Sequence, residues 1–176
     1  MRRILIGGLV AVLLVTGGTF ASTYTTATAT ISVSAPSSDF ASITAANVTG
    51  LAPTVFGKYT GTWSAGTLFT VTPSAGYTGD LIIYVYLVNA GALVRCYELL
   101  NMTVVFWDSN NVVADEQGIA QLLTIQNSEV LFTWANGTGH GPYRVQLTGG
   151  SYRLYPWKAL SDGSVQPQLH CEIVQR

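Results

Sequence analysis

Residues 26–35 alternate strictly between apolar and hydroxyl side chains. The apolar positions of this stretch, TATATISVSA, are Ala27, Ala29, Ile31, Val33 and Ala35, and Thr or Ser occupies every position between them. A period of two places one set on each face of a β-strand. The pattern therefore predicts an N-terminal strand, and it leaves open whether that strand completes its own sheet or a sheet in another copy of the chain.

Further strand patterns, rich in β-branched and aromatic residues and bounded by Gly, Asn or Pro, recur at intervals of roughly 8 to 14 residues. The predicted strands are 43–48, 67–72, 80–88, 100–107, 121–126, 130–134, 143–148, 152–157 and 169–174. Helical periodicity is nearly absent, and only residues 113–120 offer a helical turn. This series predicts an all-β protein, a single β-sandwich of jelly-roll or immunoglobulin-like type with an N-terminal strand arm.

The segment 80–88 is unusual because it is apolar on both faces. Leu81, Ile83 and Val85 alternate with Ile82, Tyr84 and Tyr86. One face is expected in the core of the sandwich. The other face then reaches water through the tyrosine hydroxyls or lies against a neighbouring subunit.

Composition favours assembly over chemistry that depends on charge. Hydrophobic residues make up 48% of the 176 residues and charged residues only 10%, against about 25% in an average soluble domain. Few charges leave little repulsion between copies, and β-rich surfaces of this kind associate through their edges. The eight Lys and Arg are scattered and the net charge is −1, so nucleic acid is not an expected partner.

The N-terminus has the pattern of a secretory signal peptide. Arg2 and Arg3 precede an apolar run over residues 4–15 and a looser stretch that ends at Ala21. This predicts a signal peptide over residues 1–21, a strand over 22–35 and a sandwich domain over 36–176, with export to the extracellular space or cell surface. An uncleaved membrane anchor and a pilin-type cut before the apolar run are alternatives. With cleavage, membrane contact is confined to the signal segment.

Candidate catalytic groups are few, and we predict no enzymatic activity, cofactor or metal. The two histidines, His140 and His170, belong to no known catalytic or metal-binding spacing. The stretch from Asp108 to Glu116 resembles a calcium loop, but Val112 stands at its fifth position and the required Gly is missing at the sixth. It is better read as a turn in which Asp and Asn side chains bind their own backbone, although calcium held by several loops stays open.

Cys96 and Cys171 are predicted to form a disulfide, because an even pair in an exported protein is most simply a bridge. On the loop-entropy model such a bridge stabilises by roughly 4 to 5 kcal/mol. Two buried thiols, or bridges between subunits, are the alternatives.

Two surface features are candidates for modification and ligand binding. The acceptor pattern for N-glycosylation occurs at Asn136, Asn47 and Asn101, with Asn136 in a Gly-rich loop the best placed. The stretch SYRLYPW carries Tyr152, Tyr155 and Trp157, which offer a stacking platform for polysaccharide or cell-envelope sugars if they are not in the core.

The start of the chain resembles the signal region of the TasA and camelysin family of secreted β-sandwich proteins and the related archaeal bundling pilins. The residues that carry the resemblance are Arg2, Arg3, the run 4–15 and the stretch from Gly17 to Ala21. It implies a jelly-roll-like filament subunit in which the N-terminal strand of one copy fills a groove in the next. We accordingly expect a homopolymer with Tyr24, Ala27, Ala29, Ile31, Val33 and Ala35 at the subunit interface. A monomeric secreted carbohydrate-binding or adhesion module is the alternative.

Overall fold

The computed structural model describes residues 24–28, by backbone, together with residues 40–46, 60–156 and 166–176. The described residues form ten strands and one short helix, α1 (Ala90–Leu93). The strands are β1 (Tyr24–Thr28), β2 (Ala41–Ala45), β3 (Thr60–Thr62), β4 (Gly66–Pro73), β5 (Leu81–Leu87), β6 (Tyr97–Trp107), β7 (Gln121–Thr124), β8 (Glu129–Trp134), β9 (Tyr143–Leu154) and β10 (Leu169–Gln175).

The strands form two antiparallel sheets that pack face to face, which confirms the predicted all-β sandwich. The four-stranded sheet has the order β1-β10-β5-β8. The six-stranded sheet has the order β2-β4-β9-β6-β7, with β3 paired to the far end of β9. Antiparallel sheets of this kind bury one face and leave the other to solvent.

The pairing follows the logic of a jelly roll. When β2 and β3 are set aside, the first strand pairs with the last (β1 with β10), the second with the second to last (β4 with β9), then β5 with β8 and β6 with β7. This is the pattern of one long hairpin rolled into two sheets. Its consequence is that the N-terminal strand is the partner of the C-terminal strand.

Alternating side chains build the core between the sheets. In β5 the residues Leu81, Ile83, Val85 and Leu87 are buried, and the residues between them are half-buried on the outer face. Phe106 of β6 stacks on Phe132 of β8 with ring centroids 5.9 Å apart, which joins the two sheets through aromatic contact. Other core residues include Phe40, Ile43, Leu68, Phe69, Met102, Val145 and Ile173.

Two sequence predictions about the elements were wrong. Residues 143–154 form one strand, whereas the sequence predicted two strands interrupted at Gly149 and Gly150. Gly150 has φ +143°, and its Cα lies so close to β6 that an added Cβ would be 2.1 Å from the backbone oxygen of Asn101. Glycine there permits close packing instead of ending the strand. The one helix of the described residues is α1, while residues 113–120 form turns and an isolated bridge.

Candidate functional site

The β10 edge of the four-stranded sheet is the first candidate site, because β1 occupies it. The pairing is antiparallel over five residues, from Tyr24 opposite Val174 to Thr28 opposite His170. Ala27 lies opposite Cys171 and Thr25 lies opposite Ile173. Cys171 and Ile173 are both fully buried, so the β1 positions in register with them border the core of the sandwich.

The predicted interface residues divide between this strand and undescribed chain. Tyr24 and Ala27 lie in β1. The predicted signal peptide 1–21 lies outside the described residues. So do the other four predicted interface residues, which are Ala29, Ile31, Val33 and Ala35. The sequence pattern had left open whether this strand completes a sheet of its own chain or of another copy. Here it pairs with β10 of its own chain.

The outer face of the same sheet carries a group of aromatic and acidic residues. We call it the tyrosine face and define it by Tyr84, Tyr86, His170 and Glu172, all half-buried. The rings of Tyr86 and His170 are 5.0 Å apart between centroids, and Glu172 lies opposite Tyr84 on the neighbouring strand. Ile82, Leu131 and Val174 extend the face with half-buried apolar side chains.

Burial controls the charge of the tyrosine face. Desolvation raises the pKa of Tyr86, and the nearby Glu172, which hydrogen-bonds to it, raises it further. Desolvation also lowers the pKa of His170 from its ordinary value, with Glu172 opposing that shift. Burial therefore favours the neutral forms of the Tyr86 phenol and the His170 imidazole on this face.

The predicted disulfide is not present. Cys171 lies in the middle of β10, opposite Val85 and Ala27, while Cys96 lies in the turn between α1 and β6. Cys171 therefore lies in a strand of the four-stranded sheet and Cys96 lies in a turn outside the strands, and each is buried as a thiol. Desolvation raises the pKa of Cys171 far above its ordinary value, so its thiol stays protonated and unreactive.

The stretch that resembles a calcium loop is a structural turn, as the sequence had favoured. Both carboxylate oxygens of Asp108 accept backbone N–H groups: Oδ1 from Asn110 and Val112 at 2.8 Å each, and Oδ2 from His140 at 3.3 Å. These bonds, that to Val112 foremost, lower the pKa of Asp108. Among the described residues, no group of three His, Cys, Asp or Glu side chains is placed to hold a metal ion.

Of the three aromatic residues that could form a platform for sugars, Tyr152 packs against the core, which the sequence also allowed. Tyr152 packs on Trp63 at 4.7 Å between ring centroids, and Tyr97 meets Tyr152 edge to face at 6.2 Å. This group belongs to the core, where the indole N–H of Trp63 has no hydrogen-bond partner among the described residues. Tyr155 follows the end of β9, and Trp157 lies outside the described residues.

The candidate glycosylation residues differ in exposure. Asn136 is exposed in the loop after β8, where its Nδ2 donates to the Thr78 oxygen at 3.2 Å. Asn101 is half-buried within β6 between β7 and β9. Asn47 lies outside the described residues.

The other edge of the four-stranded sheet is covered by side chains, a feature that the sequence reading missed. Gln121 hydrogen-bonds to both backbone groups of Leu131, and Asp115 Oδ1 accepts from Thr133 N at 2.8 Å. The Glu116 N–H donates to the Thr133 oxygen at 2.9 Å. The only signal in the sequence was polar residues next to an apolar strand, which many surface turns share.

Comparison of the sequence with protein-family models and with curated proteins finds no match. Within the ranges that the structure describes, no helix is long and apolar enough to cross a membrane.

Proposed function

We propose that the protein is a structural subunit of an extracellular filament or surface layer, in which the N-terminal strand of one copy pairs with β10 of the next. The observation that carries the proposal is the β1–β10 pairing. An antiparallel ladder is formed by backbone groups in a fixed register, so a strand of identical sequence from another copy satisfies it equally well.

The position of β1 in the fold favours such an exchange. Within the described ranges it is an edge strand that pairs with β10 alone, through five residues, and it is the first described element of the chain. An edge strand near a chain terminus can detach from the sheet while the other strands stay in place. Its departure would uncover unpaired backbone groups along β10 and the core next to Cys171 and Ile173, which gives the vacated edge a strong requirement for a new strand.

The geometry of the exchange gives a chain of subunits. If each copy donates its strand to the next and receives one from the copy before, the contact is heterologous and does not close on itself unless the rotation permits a ring. The low charge of the molecule removes a barrier to this packing, since repulsion between copies is weak. The predicted secretory signal over residues 1–21 agrees with assembly outside the cell.

Cysteine cross-linking tests the proposal directly, because Ala27 lies opposite the native Cys171. Paired residues on adjacent antiparallel strands have Cα separations compatible with a disulfide. We expect Ala27→Cys, combined with Cys96→Ser, to form an intermolecular disulfide ladder on non-reducing gels when assembly takes place under oxidising conditions, because Cys171 is accessible while the β10 edge is open. The matched control is Thr26→Cys, which lies opposite Glu172 and should not cross-link.

Two outcomes would contradict strand exchange. One is a bridge that stays within a single chain at every protein concentration, together with the absence of fibres by electron microscopy. The other is the absence of any bridge involving position 27 in assembled protein, which would show that the β1–β10 register is not used between copies.

A secreted polysaccharide-binding module is the second candidate, and the tyrosine face favours it. The half-buried rings of Tyr84 and Tyr86 offer apolar surface for sugar rings, and Glu172 offers hydrogen-bond acceptors beside them. Binding to a polysaccharide panel that is lost in Tyr84→Ala/Tyr86→Ala, but kept in Tyr155→Ala, would support this function. Loss in Trp157→Ala alone would instead favour the platform first predicted from the sequence.

A further inference from the structure

We infer that the loop between β6 and β7, together with the first residue of β7, closes the β8 edge of the four-stranded sheet, so that this sheet accepts a strand from a second copy at the β10 edge alone. The residues that close the edge are Gln121, Asp115 and Glu116. The inference deepens the proposed strand exchange and rests on it, because it explains how one sheet with two edges can assemble in one direction.

The outward backbone groups of Leu131 and Thr133 in β8 are already bonded. β8 pairs with β5 from Glu129 to Trp134, and its opposite side is an edge of the sheet. Leu131 N donates to Gln121 Oε1 at 3.3 Å, and Leu131 O accepts from Gln121 Nε2. The N–H of Thr133 is taken by Asp115 and its C=O by the Glu116 N–H.

Gln121 substitutes for a neighbouring strand. A side-chain amide carries a donor and an acceptor side by side, as a peptide group does, so one glutamine can satisfy both groups of an edge residue. Gln121 is the first residue of β7, which belongs to the other sheet, and its side chain therefore crosses from one sheet to the edge of the other. Natural β-proteins blunt exposed edges with such covering groups to prevent edge-to-edge pairing.

The two edges differ in how firmly they are covered. β10 is covered by β1, a strand at one end of the described chain. The β8 edge is covered by a loop tied at both ends to β6 and β7, and Glu116 of that loop forms an ion pair of 2.8 Å with Arg176. The first cover can be exchanged without unfolding, whereas the second is held in place by the fold.

The test uses a synthetic peptide with the sequence of residues 22–35 and the full chain carrying Gln121→Ala. Gln126→Ala is the matched control, since Gln126 is exposed in the loop between β7 and β8. Native mass spectrometry counts bound peptides per chain, and hydrogen exchange reports the amides of Leu131 and Thr133. We expect Gln121→Ala to bind one peptide more than the control and to exchange the Leu131 amide at least about tenfold faster in the absence of peptide.

A conservative variant keeps the test decisive if Gln121→Ala folds poorly. Gln121→Glu retains the acceptor for Leu131 N and loses the donor to Leu131 O, so it should give an intermediate gain in exchange and peptide binding. Peptide binding and Leu131 exchange that match the Gln126→Ala control in both variants would overturn the inference. A different result is that the Gln126→Ala control binds no peptide while Gln121→Ala binds one at β8. That result would support closure of the β8 edge and would contradict the proposed strand exchange at β10.

Discussion

Asp108 and Asp115 are buried on the same loop after β6, with exposed fractions of 2% and 5%, but their carboxylates are satisfied unequally. Asp108 accepts three backbone N–H groups through both oxygens. Asp115 Oδ1 accepts from Thr133 N, while its Oδ2 has no hydrogen-bond partner within the part of the chain that the structure describes. Their pKa values are accordingly shifted in opposite directions, lower for Asp108 and higher for Asp115.

Asp115 should make the protein less stable as the pH rises. Desolvation raises its folded-state pKa above the unfolded value near 3.9, so the folded state holds the proton more tightly. The free energy of unfolding then falls from about pH 4 upward until the raised pKa is passed. Asp115→Asn removes this titration, and urea unfolding across a pH series should show a flatter profile above pH 4 than wild type. Parallel profiles for the two proteins would contradict the assignment.

Asp108 should have the opposite effect. Hydrogen bonds from backbone N–H groups lower its folded-state pKa, so its stabilisation is fully present above about pH 4 and is lost as the pH falls through the lowered value. Asp108→Asn places an amide donor against N–H groups and should lower the free energy of unfolding at pH 7, with a smaller difference at pH 3. Urea unfolding at both values measures this, with Glu129→Gln at an exposed position as the control. A difference that does not shrink at pH 3 would rule out the carboxylate as its cause.

Local alternation made the strands of the sandwich predictable. In β5 the sequence placed Leu81, Ile83 and Val85 on one face and Ile82 and Tyr84 on the other, and these faces are the buried and half-buried ones. A period of two fixes the face of a side chain whatever the strand's partners are. The turn at Asp108 was predictable for a similar reason, since Asp and Asn bind backbone groups a few residues away.

Long-range contacts were not predictable in this way. The strand that pairs with β10 is determined by the folding of the whole chain and not by neighbours in sequence. The same holds for the hydrogen bonds between Gln121 and Leu131. The disulfide was predicted from the number of cysteines and the expected compartment alone, without knowledge of where the fold places Cys96, in the turn before β6, and Cys171, in β10. The sequence left open whether Tyr152 lies in the core or on a surface platform, because alternation gives the two faces of a strand but does not say which face a second group, such as Trp63, will cover.

A thiol reagent should detect Cys96 and Cys171 only after the protein is unfolded. Because Cys96 and Cys171 are not bonded to each other and are shielded from solvent, a thiol reagent such as DTNB should react with neither in the folded protein. In denaturant without reductant, the reagent should detect two thiols in the wild-type protein. It should detect one thiol in Cys96→Ser and one in Cys171→Ser. Detection of no thiol in denatured, unreduced wild type would show that the bridge forms after all.

Among the glycines that the structure describes, Gly150 is the one where a single added methyl group should be most costly. Its Cβ would lie 2.1 Å from the Asn101 backbone oxygen and 2.9 Å from Cδ1 of Trp63, and its φ of +143° is strained for other residues. Asn101 is fixed by its pairing in β6, so relief would require β6 and β9 to separate. Gly150→Ala should therefore lower the free energy of unfolding by about 3 kcal/mol.

Gly66→Ala is the control on β4, because nothing lies within 4 Å of its added Cβ. Urea unfolding of the two variants side by side measures the difference, and equal stability would mean that β6 and β9 are not packed as closely at Gly150 as described.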